Sequence, residues 1–348
     1  MEERGAPPLL ESLGGAVSTA LVGLRLPPRG LGRPSSRQSV LLPDGGTVQL
    51  TWWRAGDVTV VVLPGLNSTS ALPVVRHAAA HFYRLGYTVA VLDYRGLAGH
   101  PYTAARLFGA DAWVDLPTVF AAVRANMMDA RAPILALGHS MGGATLIKYL
   151  SVTPRDRCEV AAAATVSAPI NLSAHQKRLE SSPKWRAANL IVMSLTRLQL
   201  YCHWLMYPES RPHMARLDWA AMRRATTLRE LEAAAICRIN GFADPEEYYA
   251  FGHASIPNID VPLLVAHAQD DPVIGWAELP LTELLSNPKV TLALSPTGGH
   301  LGYREGPGGG RGSWVYRTIA THFAKCVCRS WLPLPARGPE AAAVRARL

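Results

Sequence analysis

Short runs built mainly of apolar and β-branched residues recur along the chain at Val48–Trp53, Val58–Leu63, Thr88–Leu92, Ile134–Leu137, Val160–Val166, Pro262–Ala266 and Val290–Leu294. Most lack polar positions, the pattern of parallel strands covered on both faces. Segments with helical spacing separate them, notably Ala71–Leu85, Trp113–Met128 and Met141–Leu150. That alternation predicts an α/β protein, a mostly parallel central sheet with helices on both faces. Pro43-Asp44-Gly45-Gly46 adds a turn suited to an antiparallel hairpin at the start of the sheet. The alternation stops after Ser167 and resumes after Pro257, so residues 168–257 are read as an insertion, a candidate lid and pocket. Inside it, Ala188–Tyr207 is largely apolar and almost long enough to span a bilayer, but Arg197 and His203 interrupt it. A buried or membrane-facing lid helix is expected there, with a plain packing helix as the alternative.

A chain of 348 residues, 49% hydrophobic, can bury a large core as one domain. The division expected is a peripheral segment over residues 1–36, a main α/β domain over 37–330 and a disordered tail over 331–348, rich in Pro, Ala and Arg. No internal repeat is visible.

The chemistry begins at Gly138-His139-Ser140-Met141-Gly142, which follows the run Ile134–Leu137 and precedes a helical pattern. A sharp strand-to-helix turn lifts a serine oxygen clear of the backbone, and only small residues fit two positions either side of it. Ser140 is therefore the candidate nucleophile. Its place at a helix N-terminus offers backbone N–H groups, that of Met141 first, to a developing oxyanion. The run Pro262–Ala266 leads into Asp270 and Asp271, of which only one can readily face a histidine while the other caps the turn. The base candidate is His300 in Thr297-Gly298-Gly299-His300, after the run Val290–Leu294. Serine, acid and histidine then follow in the order that a nucleophile elbow requires. Of the other histidines, His77, His81, His175, His203, His213 and His322 are read as surface or satisfied core residues. His139 should point away from the reaction, His100 and His253 sit in loops, and His267 lies within the acid strand.

The chain resembles the α/β-hydrolase family that includes the hydrolase-domain proteins of types one, two and three and their bacterial and fungal relatives. The pieces that match are Leu63-Pro64-Gly65-Leu66-Asn67-Ser68, Asp93-Tyr94-Arg95-Gly96, Gly138–Gly143 with Ile147-Lys148-Tyr149-Leu150, Thr227-Leu228-Arg229-Glu230, Gly241–Tyr249, Ala268–Pro272 and Gly298–Tyr303. They stand in family order and cover residues 37–325. The resemblance implies the α/β-hydrolase fold and a serine carboxylesterase or lipase acting on fatty-acyl or lipid esters, with monoacylglycerol, phospholipid and short or medium-chain esters as candidates. Where this fold carries its acid favours Asp271, a few residues past the strand and just before Pro272-Val273-Ile274, with Asp270 in reserve. His300 would take the Ser140 proton, Asp271 would hold the imidazole, and an acyl-enzyme would form. The resemblance also implies the backbone N–H of Leu66 as the second oxyanion donor beside Met141. No cofactor or metal is called for. Two departures, Asn67 near the oxyanion loop and Leu231-Glu232 in place of an aromatic and an aspartate, bear on pocket shape. The alternatives are acyl transfer to an alcohol, or a lipid-binding protein that kept the fold without the chemistry.

A net charge of +9 comes chiefly from arginines scattered along the chain, with no dense basic helix, which argues against nucleic-acid binding. A basic surface suits anionic lipid head groups and peripheral membrane contact. Arg95 is read as structural. Five cysteines, Cys158, Cys202, Cys237, Cys326 and Cys328, make no disulfide framework and no zinc spacing, so a reducing compartment is expected. No secretory signal is evident after Met1, and an intracellular site, cytoplasmic or peripheral to a membrane, is expected. The spacing His213 to Asp218 is read as incidental, and Gly308–Gly312 lacks the ending of a phosphate-cradling loop and is read as a flexible loop near His300.

Overall fold

The structure is a computed structural model, and it describes Thr19, Pro28, residues 30–303, residues 314–327 and Trp331. The expected peripheral segment, most of the expected tail, Gly308–Gly312 and Cys328 lie outside the described residues, apart from Thr19, Pro28, residues 30–36 and Trp331. The strands are β1 (Ser36–Leu41), β2 (Thr47–Trp53), β3 (Thr59–Leu63), β4 (Thr88–Asp93), β5 (Ile134–His139), β6 (Val160–Val166), β7 (Leu263–Ala268) and β8 (Val290–Ser295). They form one sheet in the order β1-β2-β4-β3-β5-β6-β7-β8. β1 and β2 pair antiparallel, as do β2 and β4, and every later pairing is parallel.

Alternating residues of the central strands enter two cores. Val61, Leu63 and Ala136 face one, shared with α2 (Leu116–Ala125) and α3 (Met141–Val152). Val60, Val62, Leu135 and Leu137 face the other, shared with α1 (Pro73–Arg84) and α9 (Trp314–Cys326). Each strand therefore buries both faces, which is why its sequence reads as an unbroken apolar run. β1 is the strand that the apolar pattern does not mark. Arg37, Gln38 and Ser39 occupy it, and only the Pro43–Gly46 turn announces the hairpin, closed by Leu42 N donating to Gly46 O at 2.8 Å.

The expected helix over Trp113–Met128 is instead a 3-10 turn, Ala110–Asp115, followed by α2, which ends at Ala125. Pro117 stands in the first turn of α2, where its missing N–H costs nothing.

Between β6 and β7 the chain forms α4 (Leu172–Ser181), α5 (Pro183–Met206), α6 (Trp219–Arg224), α7 (Leu228–Glu232) and α8 (Pro245–Gly252). α7 runs on through a π-helical turn, Ala233–Cys237, to Asn240. No helix among the described residues is long and apolar enough to cross a membrane. The carboxyl ends of the parallel strands meet under this insertion, where open α/β sheets hold their ligands.

Candidate active site

Ser140 stands between β5 and α3 with φ 49° and ψ −121°, a left-handed backbone for a side chain that rarely adopts one. Such a residue costs about 1–3 kcal/mol and persists only where its surroundings dictate it. They do so here. A Cβ on Gly138 would lie 2.5 Å from the Cα of Gly143, and one on Gly142 would lie 2.2 Å from the carbonyl oxygen of Leu63. The two flanking glycines are thus steric necessities of the turn.

His300 Nε2 lies 3.1 Å from Ser140 Oγ, and His300 Nδ1 lies 2.9 Å from Asp271 Oδ2. A carboxylate only accepts, so Nδ1 carries the proton and Nε2 is left to accept from the serine hydroxyl. The other oxygen of Asp271 accepts from the backbone N–H groups of Val273 and Ile274, at 2.8 and 2.9 Å. Burial works to raise the pKa of Asp271, but His300, His267 and the backbone N–H of Ile274 together hold the carboxyl below its usual range. Asp270 points elsewhere. Its Oδ1 accepts from Gly299 N at 2.7 Å, fixing the loop that carries His300. The structure therefore brings together Ser140, Asp271 and His300, and leaves Asp270 as a tie between the acid and base loops.

The loop after β3 approaches the serine so closely that a Cβ on Gly65 would be 3.0 Å from the Cβ of Ser140. This brings the start of the loop that carries Leu66 against the first turn of α3, whose first residue, Met141, has an N–H with no partner within the helix. Asp93, at the end of β4, pins the far end of the loop: it accepts from Ser70 N at 2.6 Å and Ser70 Oγ at 2.7 Å, and from Thr51 Oγ1 at 3.0 Å. Asn67 takes a left-handed φ of 55°, and its Nδ2 donates to Thr196 Oγ1 of α5 at 2.9 Å. Leu66 and Asn67 line a narrow cavity of about 20 Å³ with Tyr102, Phe108, Thr196, Leu200 and Ile236. That is room for about one water molecule.

Sequence reasoning missed Asp93, Thr196 and the role of Asp270, because each acts across a separation of 23, 129 or 29 residues that leaves no local pattern. It also counted His175 among surface or satisfied residues. The His175 Nδ1 atom is buried without a hydrogen-bond partner, and burial pushes this imidazole down to about 4, neutral in the field of Asp271. The other expectations meet simpler surroundings. His139 Nε2 and the Tyr316 hydroxyl are 3.2 Å apart, and Asp218 caps α6 by accepting from Ala221 N at 2.9 Å. Arg95 is clamped by Asp115 at 2.7 Å and Asp44 at 2.8 Å. Glu232 is buried, accepts from the Tyr249 hydroxyl at 2.5 Å, and is pushed up to about 7 by burial. Cys158, Cys202, Cys237 and Cys326 are free thiols. Among the described residues no cluster of His, Cys, Asp or Glu could hold a metal ion.

An eight-stranded, mostly parallel sheet with a strained serine at the turn after β5 defines an α/β hydrolase. The chain belongs to the family described as serine aminopeptidase, S33, which matches residues 55–305. It is similar to the mouse phospholipase ABHD3, 29% identical over 279 residues, which cover 76% of this chain and 65% of that one. The chain thus spans 65% of the length of this relative. The zebrafish (Danio rerio) monoacylglycerol lipase ABHD2 is 26% identical over 349 residues, covering 93% of this chain and 80% of its own. Among solved structures, the Pyrococcus furiosus esterase Pf2001 aligns with a TM-score of 0.54 at 15% identity, over 86% of this chain and 99% of that one. At that identity the likeness is one of fold.

Proposed function

We propose that this protein is a serine carboxylic ester hydrolase acting on fatty-acyl or lipid esters. The observation that carries the reading is the continuous chain from Ser140 Oγ through both ring nitrogens of His300 to a buried Asp271. In it, His300 takes the serine proton as Ser140 attacks the ester carbonyl, and Asp271 holds the imidazole in the required tautomer and stabilises its cation. The tetrahedral oxyanion sits between the N–H groups of Leu66 and Met141. Expulsion of the alcohol, protonated by His300, leaves an acyl-enzyme, and water activated by the same histidine releases the acid. Relatives named as a phospholipase and a monoacylglycerol lipase support a lipid ester over a peptide as substrate.

The insertion serves as the lid and acyl pocket of a single hydrolase domain over residues 37–330. Its inner face meets the loop after β3 at the Asn67–Thr196 hydrogen bond, which places α5 where a lid over Ser140 must open for substrate. The test is hydrolysis of a p-nitrophenyl ester series from acetate to laurate, with an alanine p-nitroanilide as the amide control. Turnover of esters and not of the anilide is expected. A folded protein that hydrolyses none of the esters would overturn the proposal.

A further inference from the structure

Helix α5 has two apolar faces. Its inner face, with Met193, Thr196 and Leu200, is buried against the pocket and the loop after β3. On the outer side Ile191, Leu195, Leu198 and Leu205 recur at steps of four, three and seven, one stripe of a helix, with Leu190 and Met206 alongside. These six side chains are 52–70% exposed, and they are half of the twelve large apolar side chains that stand exposed among the described residues. A stripe this concentrated marks an interaction surface.

The charge around the stripe selects the occupant. Pro183–Met206 contains no Asp or Glu, while Lys184 and Arg186 stand exposed in its first turn. Arg197 Nη1 donates to the carbonyl oxygens of Met222, Arg223 and Ala225, which brings the basic end of α6, with exposed Arg223 and Arg224, beside the middle of α5. A second copy of a chain carrying +9 would set these basic borders against like charge. An anionic bilayer surface complements both the apolar stripe and its basic border, as it does for helices that lie in the interface plane. Crossing the bilayer is disfavoured by Arg197 and by the polar Asn189, Thr196 and His203 that α5 turns into the protein.

We propose that the outer face of α5 docks this protein onto an anionic lipid bilayer. The docking deepens the hydrolase reading by naming the surface where substrate is met. Thr196 on the same helix holds Asn67 in the loop beside Ser140, so the docked face lies over the pocket. Its test needs no turnover.

Full-length protein is sedimented with phosphatidylcholine vesicles with and without phosphatidylserine. Binding to the phosphatidylserine vesicles is expected, weakened by salt. Leu195→Asp/Leu198→Asp is expected to lower the vesicle partition coefficient about tenfold or more. Its melting temperature and its p-nitrophenyl acetate turnover remain those of the wild type. Leu195→Ser/Leu198→Ser, which adds no charge, should show a smaller loss and serves if the first variant does not fold. Wild type that stays in the supernatant with both vesicles overturns the proposal, as does equal partition of wild type and both variants. A wild-type dimer that the substitutions convert to monomer assigns the stripe to self-association and also overturns it. Absence of p-nitrophenyl acetate turnover in every sample would remove the hydrolase reading while leaving the vesicle result intact.

Discussion

The ends of the parallel strands and the helical insertion above them are built by opposite rules. At the strand ends nearly every polar atom that matters is held: Ser140 by steric constraint, His300 from both ring nitrogens, Asp271 by three donors, and the loop after β3 by Asp93. In the insertion, one long helix keeps an apolar stripe in solvent and is tied to the reactive loop by the side-chain hydrogen bond from Asn67 to Thr196. A buried acid, Glu232, is kept there with one tyrosine partner. On the proposed function, geometry is fixed where bonds are to be made and broken, and contact is adjustable where substrate must enter. That proposal assigns reaction type to the first region, and access and substrate choice to the second.

The contrast breaks most visibly if the fixed region can be altered without consequence. Ser140→Ala removes the nucleophile from a turn at the surface of the sheet without opening a core cavity. It should lower kcat/KM for the preferred ester by about 10⁴-fold or more while leaving the melting temperature unchanged. Activity near that of the wild type would show that the strained turn serves another purpose.

Next in size is the support below the site. Arg95→Ala leaves Asp115, which is 3% exposed, as a buried carboxylate without its guanidinium. A loss of about 3–5 kcal/mol in urea unfolding is expected. A loss below about 1 kcal/mol would mean that the ion pair is worth no more than a surface one.

A smaller effect, of opposite sign, is expected in the insertion. Glu232 ionises near 4.5 when unfolded and near 7 when folded, so the folded chain binds its proton more tightly. Between those values stability falls as pH rises, and the whole penalty, up to about 3 kcal/mol, is present above the folded pKa. Glu232→Gln removes the titration and can still accept from Tyr249. It should therefore melt higher than the wild type at about pH 8, by roughly 1–3 kcal/mol of stability, with the gap closing as pH falls toward about 5. A gap that is constant with pH, or that widens toward acid, would contradict a buried protonated carboxyl.

The same division decides what could be read from the sequence. β2 to β8 were legible to within two residues at either end because they write continuous runs of apolar and β-branched residues, and all but the half-exposed edge strand β8 are buried on both faces. Ser140 and His300 were legible because the elbow glycines and the order of the three groups are chain-local facts. Asp271 and Asp270 could not be separated by residue type, since two adjacent carboxylates differ only in where the turn points them. β1 was hidden because an edge strand facing solvent carries Arg37, Gln38 and Ser39. The ties from Asp93 to Ser70 and from Asn67 to Thr196 were hidden because only the folded sheet brings them together. The exposed stripe of α5 was hidden for another reason: apolar residues inside a long apolar segment do not reveal which of them face out.

The central claim is that Asp271, through His300, makes Ser140 a reactive nucleophile. The most direct measurement is the rate of covalent modification by a fluorophosphonate probe, read by intact mass and located by peptide mapping, for wild type and Asp271→Asn. The account predicts one adduct on the wild type, at Ser140, and labelling of Asp271→Asn slowed by about 10³-fold or more. An adduct at another residue, no adduct on folded wild type, or equal rates in the two proteins would contradict it.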